Sequence, residues 1–291
     1  FSLYINDLHL YVNSDCELFA DDSSIHCNHS CIRVLSSDLQ ASVDRLVKWT
    51  ELNHMSLNAQ KTKCMSVTTR QKRQIMSTKP LSVFISSVQI EEVQSHKVLG
   101  IVIDNNLSWS EHVTYLCKRL SQKIFQLSKV KHFLDMHSRK QFFHAHIQSI
   151  IDYASTLWDS ASANVLKPLL RLHRRALKIV LLKSSTLTTK DYRSLDILPL
   201  KQKLEFNKAV LMHKVINGHA PPSLTKAFPV NQSRHVHKLT VPLPRLDLFK
   251  SSFKYSGGTC WNNLPPYLKD TKTLSCFKHY LKEYLFKTIN D

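Results

Sequence analysis

Hydrophobic positions along this chain follow two different periods, and the change falls at Ser110. Before it, apolar residues come in short runs that alternate with polar ones or stay apolar throughout, as strands do. Residues 1–9 are apolar at Phe1, Leu3, Tyr4, Ile5 and Leu8 and read as a buried connection. From Cys16 an extended run places Leu18 and Ala20 on one face and Phe19 and Asp21 on the other. Asp21-Asp22-Ser23-Ser24 supplies turn chemistry before Ile25-His26 resumes, so the stretch predicts a β-hairpin. Ser36-Ser37-Asp38 opens a helix with Ser37 and Gln40 as a capping box, and Leu39, Val43, Leu46, Val47 and Thr50 carry it toward His54. Residues 64–68 alternate as a half-buried strand, and 81–85 pairs with 88–90 across Ser86-Ser87. Residues 98–103 form a nearly continuous apolar run, expected to be one strand buried on both faces, with Asn105-Asn106 as the turn after it.

Beyond Ser110 the pattern becomes helical. Val113, Leu116, Leu120, Ile124, Leu127 and Val130 mark a long amphipathic helix with Lys118, Arg119, Lys123, Lys129 and Lys131 on its other faces. A second helix is expected over about 138–153 and a third over about 162–182. The polar stretch Ser184–Lys190 is the best candidate boundary. A helix over about 199–217 begins at Pro199 and stops at Gly218. Residues 219–247 hold five prolines and read as irregular, 261–266 reads as a compact turn anchored by Trp261, and a last helix covers about 272–288. The fold class is therefore α+β: a hairpin, helix and short strands first, then a helical region, then a helical and irregular C-terminal part.

Composition narrows the function. An apolar fraction of 43% over 291 residues builds a core, which excludes wholesale disorder. Lys and Arg number 40 against 22 acidic residues, a charge of +18, which predicts a polyanionic partner. Nucleic acid is the commonest such partner, and an anionic membrane surface is the competing one. No uncharged apolar run reaches the length of a spanning helix, and no secretory pattern precedes the first elements. Seven scattered cysteines fit a reducing compartment, so the expected location is intracellular, nucleus or cytoplasm. Cys27 and Cys31 with His26 and His29 lack the second close pair that a zinc site needs. The chain begins at Phe1 and reads as a fragment.

Two groups of residues carry candidate chemistry. Asp21 and Asp22 are adjacent carboxylates at a hairpin tip; they repel each other, and a divalent cation with a preference for hard oxygen ligands, such as Mg²⁺, removes that repulsion. The plainer reading is a solvated turn. Arg171, Arg174, Arg175 and Lys178 stand three and four residues apart on the third helix and so share a stripe, either tracking phosphates or forming a solvated helix face.

Phe19-Ala20-Asp21-Asp22 resembles the Tyr/Phe-Ala-Asp-Asp box of reverse transcriptases, in particular those of non-LTR (LINE-type) retrotransposons. Three further blocks are similar and in the same order: Phe1–Leu8, Leu57-Asn58 with Lys61-Thr62-Lys63, and His96–Asp104 followed by Leu107, Trp109 and His112. A looser likeness continues through 214–218, Pro244-Arg245 and 261–265. The resemblance implies a polymerase palm over 1–105, a thumb-like helical region over 106–185 and a C-terminal domain over 186–291. It implies RNA-directed DNA polymerisation with two Mg²⁺ ions, with Asp21 bridging the metals, Asp22 beside it and Lys61 near the incoming triphosphate. For Lys61 an ordinary surface turn lysine is the equal alternative. The implied partners are an RNA template, a DNA primer and deoxynucleoside triphosphates, with no membrane. The family's third metal-binding aspartate and its fingers are expected upstream of Phe1, so the chain alone is expected to be inactive. The alternative is a domesticated or remnant basic nucleic-acid-binding protein without catalysis.

Overall fold

The computed structural model describes residues 3–12, 14–69, 72–73, 81–228 and 238–289, which divide into two units, Phe1–Leu107 and Ser108–Asp291. Phe1, Ser2, Arg70, Gln71, Gln74 and Pro229, all invoked from the sequence, lie outside the described residues. The expected boundary at 185/186 falls inside the second unit, where residues 184–188 connect two helices.

The first unit is built around one helix. α1 (Leu8–Val12) leads into β1 (Asp15–Phe19) and β2 (Asp22–His26), and α2 (Ile32–Leu52) packs behind them. Leu46 and Trp49 of α2 meet Ile5, Leu8 and Val12, with Leu18 and Ile25 of the hairpin closing the cluster. One turn away, Val43 with Leu39 and Val47 meets Leu81, Val83, Ile85 and Ile90. Apolar residues three and four apart thus serve two cores from adjoining stripes of one helix. The approach to the hairpin is only half buried: Ile5 is covered, while Leu3 is 94% exposed.

Several expected elements differ in the structure. α2 starts at Ile32 with Cys31 as its N-cap, so Ser37 and Gln40 lie inside it and form no capping box. Gln40 instead pairs with the backbone of Phe84: its amide donates to the carbonyl at 2.9 Å and accepts from the N–H at 2.8 Å. The side chain takes the place of a neighbouring strand, which is why a polar residue stands on this face. The expected strand over 64–68 shrinks to β3 (Lys63–Cys64). β4 (Phe84–Ile85) and β5 (Val88–Gln89) pair across Ser86-Ser87 as expected, and β6 (Glu91–Glu92) runs parallel to β3. The apolar run 98–103 is folded back on itself. β7 (Ser95–Val98) and β8 (Ile101–Asp104) are antiparallel around Leu99-Gly100, whose φ values are +48° and +84°. Positive φ at both loop residues is the type I′ pattern that suits a tight hairpin, and Gly100 makes it possible within an apolar run. The sequence has a basic stretch over 69–74, whose default reading is a solvated loop; of its described residues, Arg73 is tied to the turn after β8. Arg73 donates to the Asn105 carbonyl at 2.5 Å and to Asn106 Oδ1 at 2.6 Å.

The second unit is helical among its described residues, apart from an isolated bridge at Leu239. α3 (Ser110–Val130) buries Val113, Leu116, Leu120, Ile124 and Leu127. α4 (Met136–Phe143) begins at an N-cap, Asp135, which accepts from the Ser138 N–H, and passes through a π-helical turn, His144–Gln148, into α5 (Ser149–Asp152). α6 (Ser155–Trp158) ends on a fully buried Trp158. α7 (Ala163–Leu181) packs on α3 and α4. The buried Arg139 donates to the carbonyls of Lys131, Leu134 and Val180, joining the loop after α3 to the end of α7.

α8 (Thr189–Leu195) is held by a capping box of Thr188 and Asp191. α9 (Leu200–Ile216) has Pro199 as its N-cap, and Gly218 follows its C-cap at φ +72°. α10 (Pro222–Lys226) and α11 (Asp247–Lys250) are single turns, and the described residues between them form no other helix. The expected turn at 261–266 is half helix: Trp261 lies in α12 (Phe253–Asn263), followed by α13 (Pro266–Lys269). Gly257-Gly258 hides this helix from the sequence, because adjacent glycines disfavour helix. Packing explains them: a Cβ on Gly257 would lie 2.9 Å from Met212 Sδ, and one on Gly258 would lie 2.8 Å from Val241 Cγ2. α14 (Leu274–Lys287) then places Phe277 against His213, ring centres 4.4 Å apart. No helix among the described residues is long and apolar enough to cross a membrane.

Candidate active site and nucleic-acid interface

The hairpin register sets the chemistry of its tip. Cys16 pairs with Ile25, Leu18 with Ser23 and Phe19 with Asp22, so the loop is Ala20-Asp21 and not the Asp-Asp-Ser-Ser tetrapeptide. Leu18 and Ile25 face the core and anchor the strands. Phe19, Ala20, Asp21 and Asp22 stand clear of it, with Phe19 63% exposed. Ala20 has φ +52°, in the left-handed region that favours glycine. A side chain in that region costs on the order of 1 kcal/mol, and such strain gathers at functional sites.

Asp21 in the loop and Asp22 at the start of β2 form a consecutive, solvent-facing carboxylate pair. Among the described residues neither side chain takes a hydrogen bond or an ion pair; the hairpin's one ion pair, Glu17–His26 at 3.7 Å, lies toward its open end. Among the described residues no three His, Cys, Asp or Glu side chains gather as a metal cage. This donor set fits Mg²⁺, which takes one or two carboxylates and completes its shell with water or substrate phosphates. It does not fit zinc. His29 Nδ1, a member of the sequence's possible clip, accepts the Cys31 N–H at 2.9 Å.

Lys61 lies in the same unit, in a turn after α2. Its N–H donates to Asn58 Oδ1 at 3.1 Å and to the Asn58 carbonyl at 3.2 Å, fixing the backbone while the side chain stays exposed. No hydrogen bond or ion pair among the described residues joins it to Asp21 or Asp22.

The basic stripe lies on α7, in the second unit. Its inner face is Leu169, His173, Ala176, Leu177 and Val180. Arg171, Arg174 and Arg175 are exposed and Lys178 is half buried. Two of the four are engaged: Arg174 hydrogen-bonds the Tyr192 hydroxyl, and Lys178 Nζ donates to the Ser184 carbonyl at 3.2 Å. Arg171 and Arg175 have no such partner among the described residues, and α7 has no acidic residue.

The same unit holds buried polar groups that no sequence motif marks. Asp152 accepts from Gln148 Nε2 and Asn207 Nδ2, both at 2.9 Å, and pairs with Lys203 at 3.2 Å. His173 is buried with neither ring nitrogen hydrogen-bonded, and burial pushes its pKa down to about 4. Asp159 pairs with Lys208 at 2.9 Å, yet burial pushes its carboxyl above the usual range. These residues interrupt helical patterns without a motif, so only the fold reveals them.

Two curated proteins of Drosophila melanogaster match part of the chain. A probable RNA-directed DNA polymerase from transposon X-element is 26% identical over 135 residues, which is 46% of this chain and 14% of that protein. An RNA-directed DNA polymerase from mobile element jockey is 28% identical over 110 residues, 38% of this chain and 11% of that protein. Part of the chain is related to reverse transcriptases. The chain spans only a small fraction of these relatives' length. No protein-family model matches it, and no solved structure does.

Proposed function

We propose that this chain is the C-terminal portion of a retrotransposon reverse transcriptase of the LINE type, with Asp21 and Asp22 as two of the carboxylates that hold Mg²⁺ in the intact enzyme. The observation that carries this reading is the uncompensated carboxylate pair at a strained hairpin tip, in a chain similar to two RNA-directed DNA polymerases. In this reading residues 1–105 are part of a palm, 106–185 a thumb and 186–291 a further C-terminal domain. Bound Mg²⁺ would lower the pKa of the primer 3′-hydroxyl and stabilise charge on the phosphates. The hairpin's own contribution is positional: core contacts of Leu18 and Ile25 fix the strands, and the two-residue loop leaves both carboxylates exposed at the tip. Lys61 would meet the triphosphate, and Arg171 and Arg175 the phosphates of template and primer.

The test places the segment in a polymerase that contains it and follows primer extension on an RNA template. Asp21→Asn should abolish nucleotide incorporation, and Asp22→Asn should reduce it less. Near wild-type extension by the Asp21→Asn enzyme overturns the assignment. A second reading, a basic nucleic-acid-binding protein without catalysis, draws on the charge of +18 and on Arg171 and Arg175, exposed on α7. It predicts binding that is indifferent to either aspartate.

A further inference from the structure

α3 presents two faces. The inner one is filled by the core, whereas Lys118, Gln122, Phe125 and Lys129 form an exposed stripe on the outer one. At 100° per residue these four fall within an arc of about 60°, and they extend about 16 Å along the axis. Phe133, in the turn that ends the helix, continues the line and is 88% exposed. Phe125 keeps 60% of its surface open although Lys129 Nζ lies 5.2 Å from its ring centre. Neither aromatic belongs to the core period, so folding does not explain them. From Glu111 to Lys140 the chain has seven Lys and Arg against two acidic residues, Glu111 and Asp135.

We infer that this stripe is a binding surface for single-stranded nucleic acid, with Phe125 and Phe133 stacking on bases, Lys129 meeting a phosphate between them and Lys118 one beyond Phe125. The alternation of exposed rings with ammonium groups matches a strand in which bases and phosphates alternate, and every base has a face to stack. A duplex keeps its bases stacked inside and offers these rings nothing. A bilayer is disfavoured because the apolar face of α3 is already committed to the core, leaving too little apolar surface to insert. A protein partner is disfavoured because lysine is depleted in protein interfaces. The inference stands on this stripe alone and is independent of the polymerase reading and of the arginines on α7.

The test is fluorescence anisotropy of the whole chain with a labelled single-stranded 12-mer, the matching duplex and vesicles containing phosphatidylserine. Phe125→Ala with Phe133→Ala should weaken single-strand binding about 30-fold. It should leave duplex binding within twofold and leave the salt dependence of both unchanged. Phe125→Trp with Phe133→Trp should keep the affinity and show quenched tryptophan emission on binding. Lys118→Ala with Lys129→Ala should weaken single-strand binding and flatten its salt dependence. The inference is overturned if the alanine pair binds the single strand within twofold of wild type or loses single strand and duplex equally. It is also overturned if the chain does not bind the single strand, or if the aromatic substitutions abolish vesicle binding instead.

Discussion

At Ala20 a residue with a Cβ occupies backbone that glycine prefers, and at His173 an imidazole sits in the core with no hydrogen-bond partner for either nitrogen among the described residues. Both are positions where the chain forgoes stability, and both can be measured. Ala20→Gly relieves the turn and should stabilise the first unit by about 0.5–1 kcal/mol in chemical denaturation. An unchanged or lowered midpoint would show that Ala20 is not strained. For His173 the folded pKa of about 4 lies below the ordinary 6.5. Above pH 6.5 both folded and unfolded chains hold it neutral. Between pH 6.5 and 4 the unfolded chain takes up the proton first, so stability falls as pH falls, by on the order of 3 kcal/mol. His173→Leu should remove that part of the slope and leave stability at pH 7 equal or higher, because no hydrogen bond is lost. The buried His112 and His213, whose pKa values burial also lowers, keep the remainder of the slope. An unaltered acid transition in the variant would contradict the burial of a neutral imidazole.

Elements were legible in the sequence where one pattern fixed them. The β1–β2 hairpin, the helices over 110–130, 163–181, 200–216 and 274–287, and the hairpin at Ser86-Ser87 follow directly from alternation or from the 3.6-residue period. Misreadings arose where a single residue acts across the fold. Leu99-Gly100 turns within an apolar run because Gly100 tolerates φ +84°. Gln40 stands in a helix as the hydrogen-bonding neighbour of Phe84, which a local reading takes for a cap. Gly257 and Gly258 interrupt a helical pattern because Met212 and Val241 leave no room for a Cβ. The candidate site shares this split. Asp21 and Asp22 were legible as a tip pair, but the loop that presents them, and the ties that engage Arg174 and Lys178, depend on register and tertiary contact. Arg139 is the clearest element-scale case, since its guanidinium bonds three carbonyls around the ends of α3 and α7. Arg139→Met should cost about 3 kcal/mol, because one buried and two partly buried carbonyls lose their donor. Arg139→Lys should recover less than half of it, since one ammonium cannot reproduce the planar fork. A loss under 1 kcal/mol for the methionine variant would mean water satisfies those carbonyls.

At the scale of the whole molecule, a charge of +18 and two arginines on α7 without a partner among the described residues predict binding to nucleic acid that is nearly blind to sequence and falls steeply with salt. Reversing Arg171 and Arg175 together should weaken binding and lower the slope of log affinity against log salt by roughly two, one for each contact. An unchanged slope would make α7 a solvated face. Binding of this kind belongs equally to a polymerase and to a protein that merely coats nucleic acid, so it does not separate them; the hairpin carboxylates do. The direct measurement is the single-turnover rate of nucleotide incorporation by a polymerase containing this segment, at saturating Mg²⁺, for wild type and Asp21→Asn. Loss of one anionic ligand should lower the rate by about a thousandfold or more, with primer–template affinity unchanged. A rate within tenfold of wild type would contradict the assignment of Asp21 to the metal and, with it, the reading of this hairpin as catalytic.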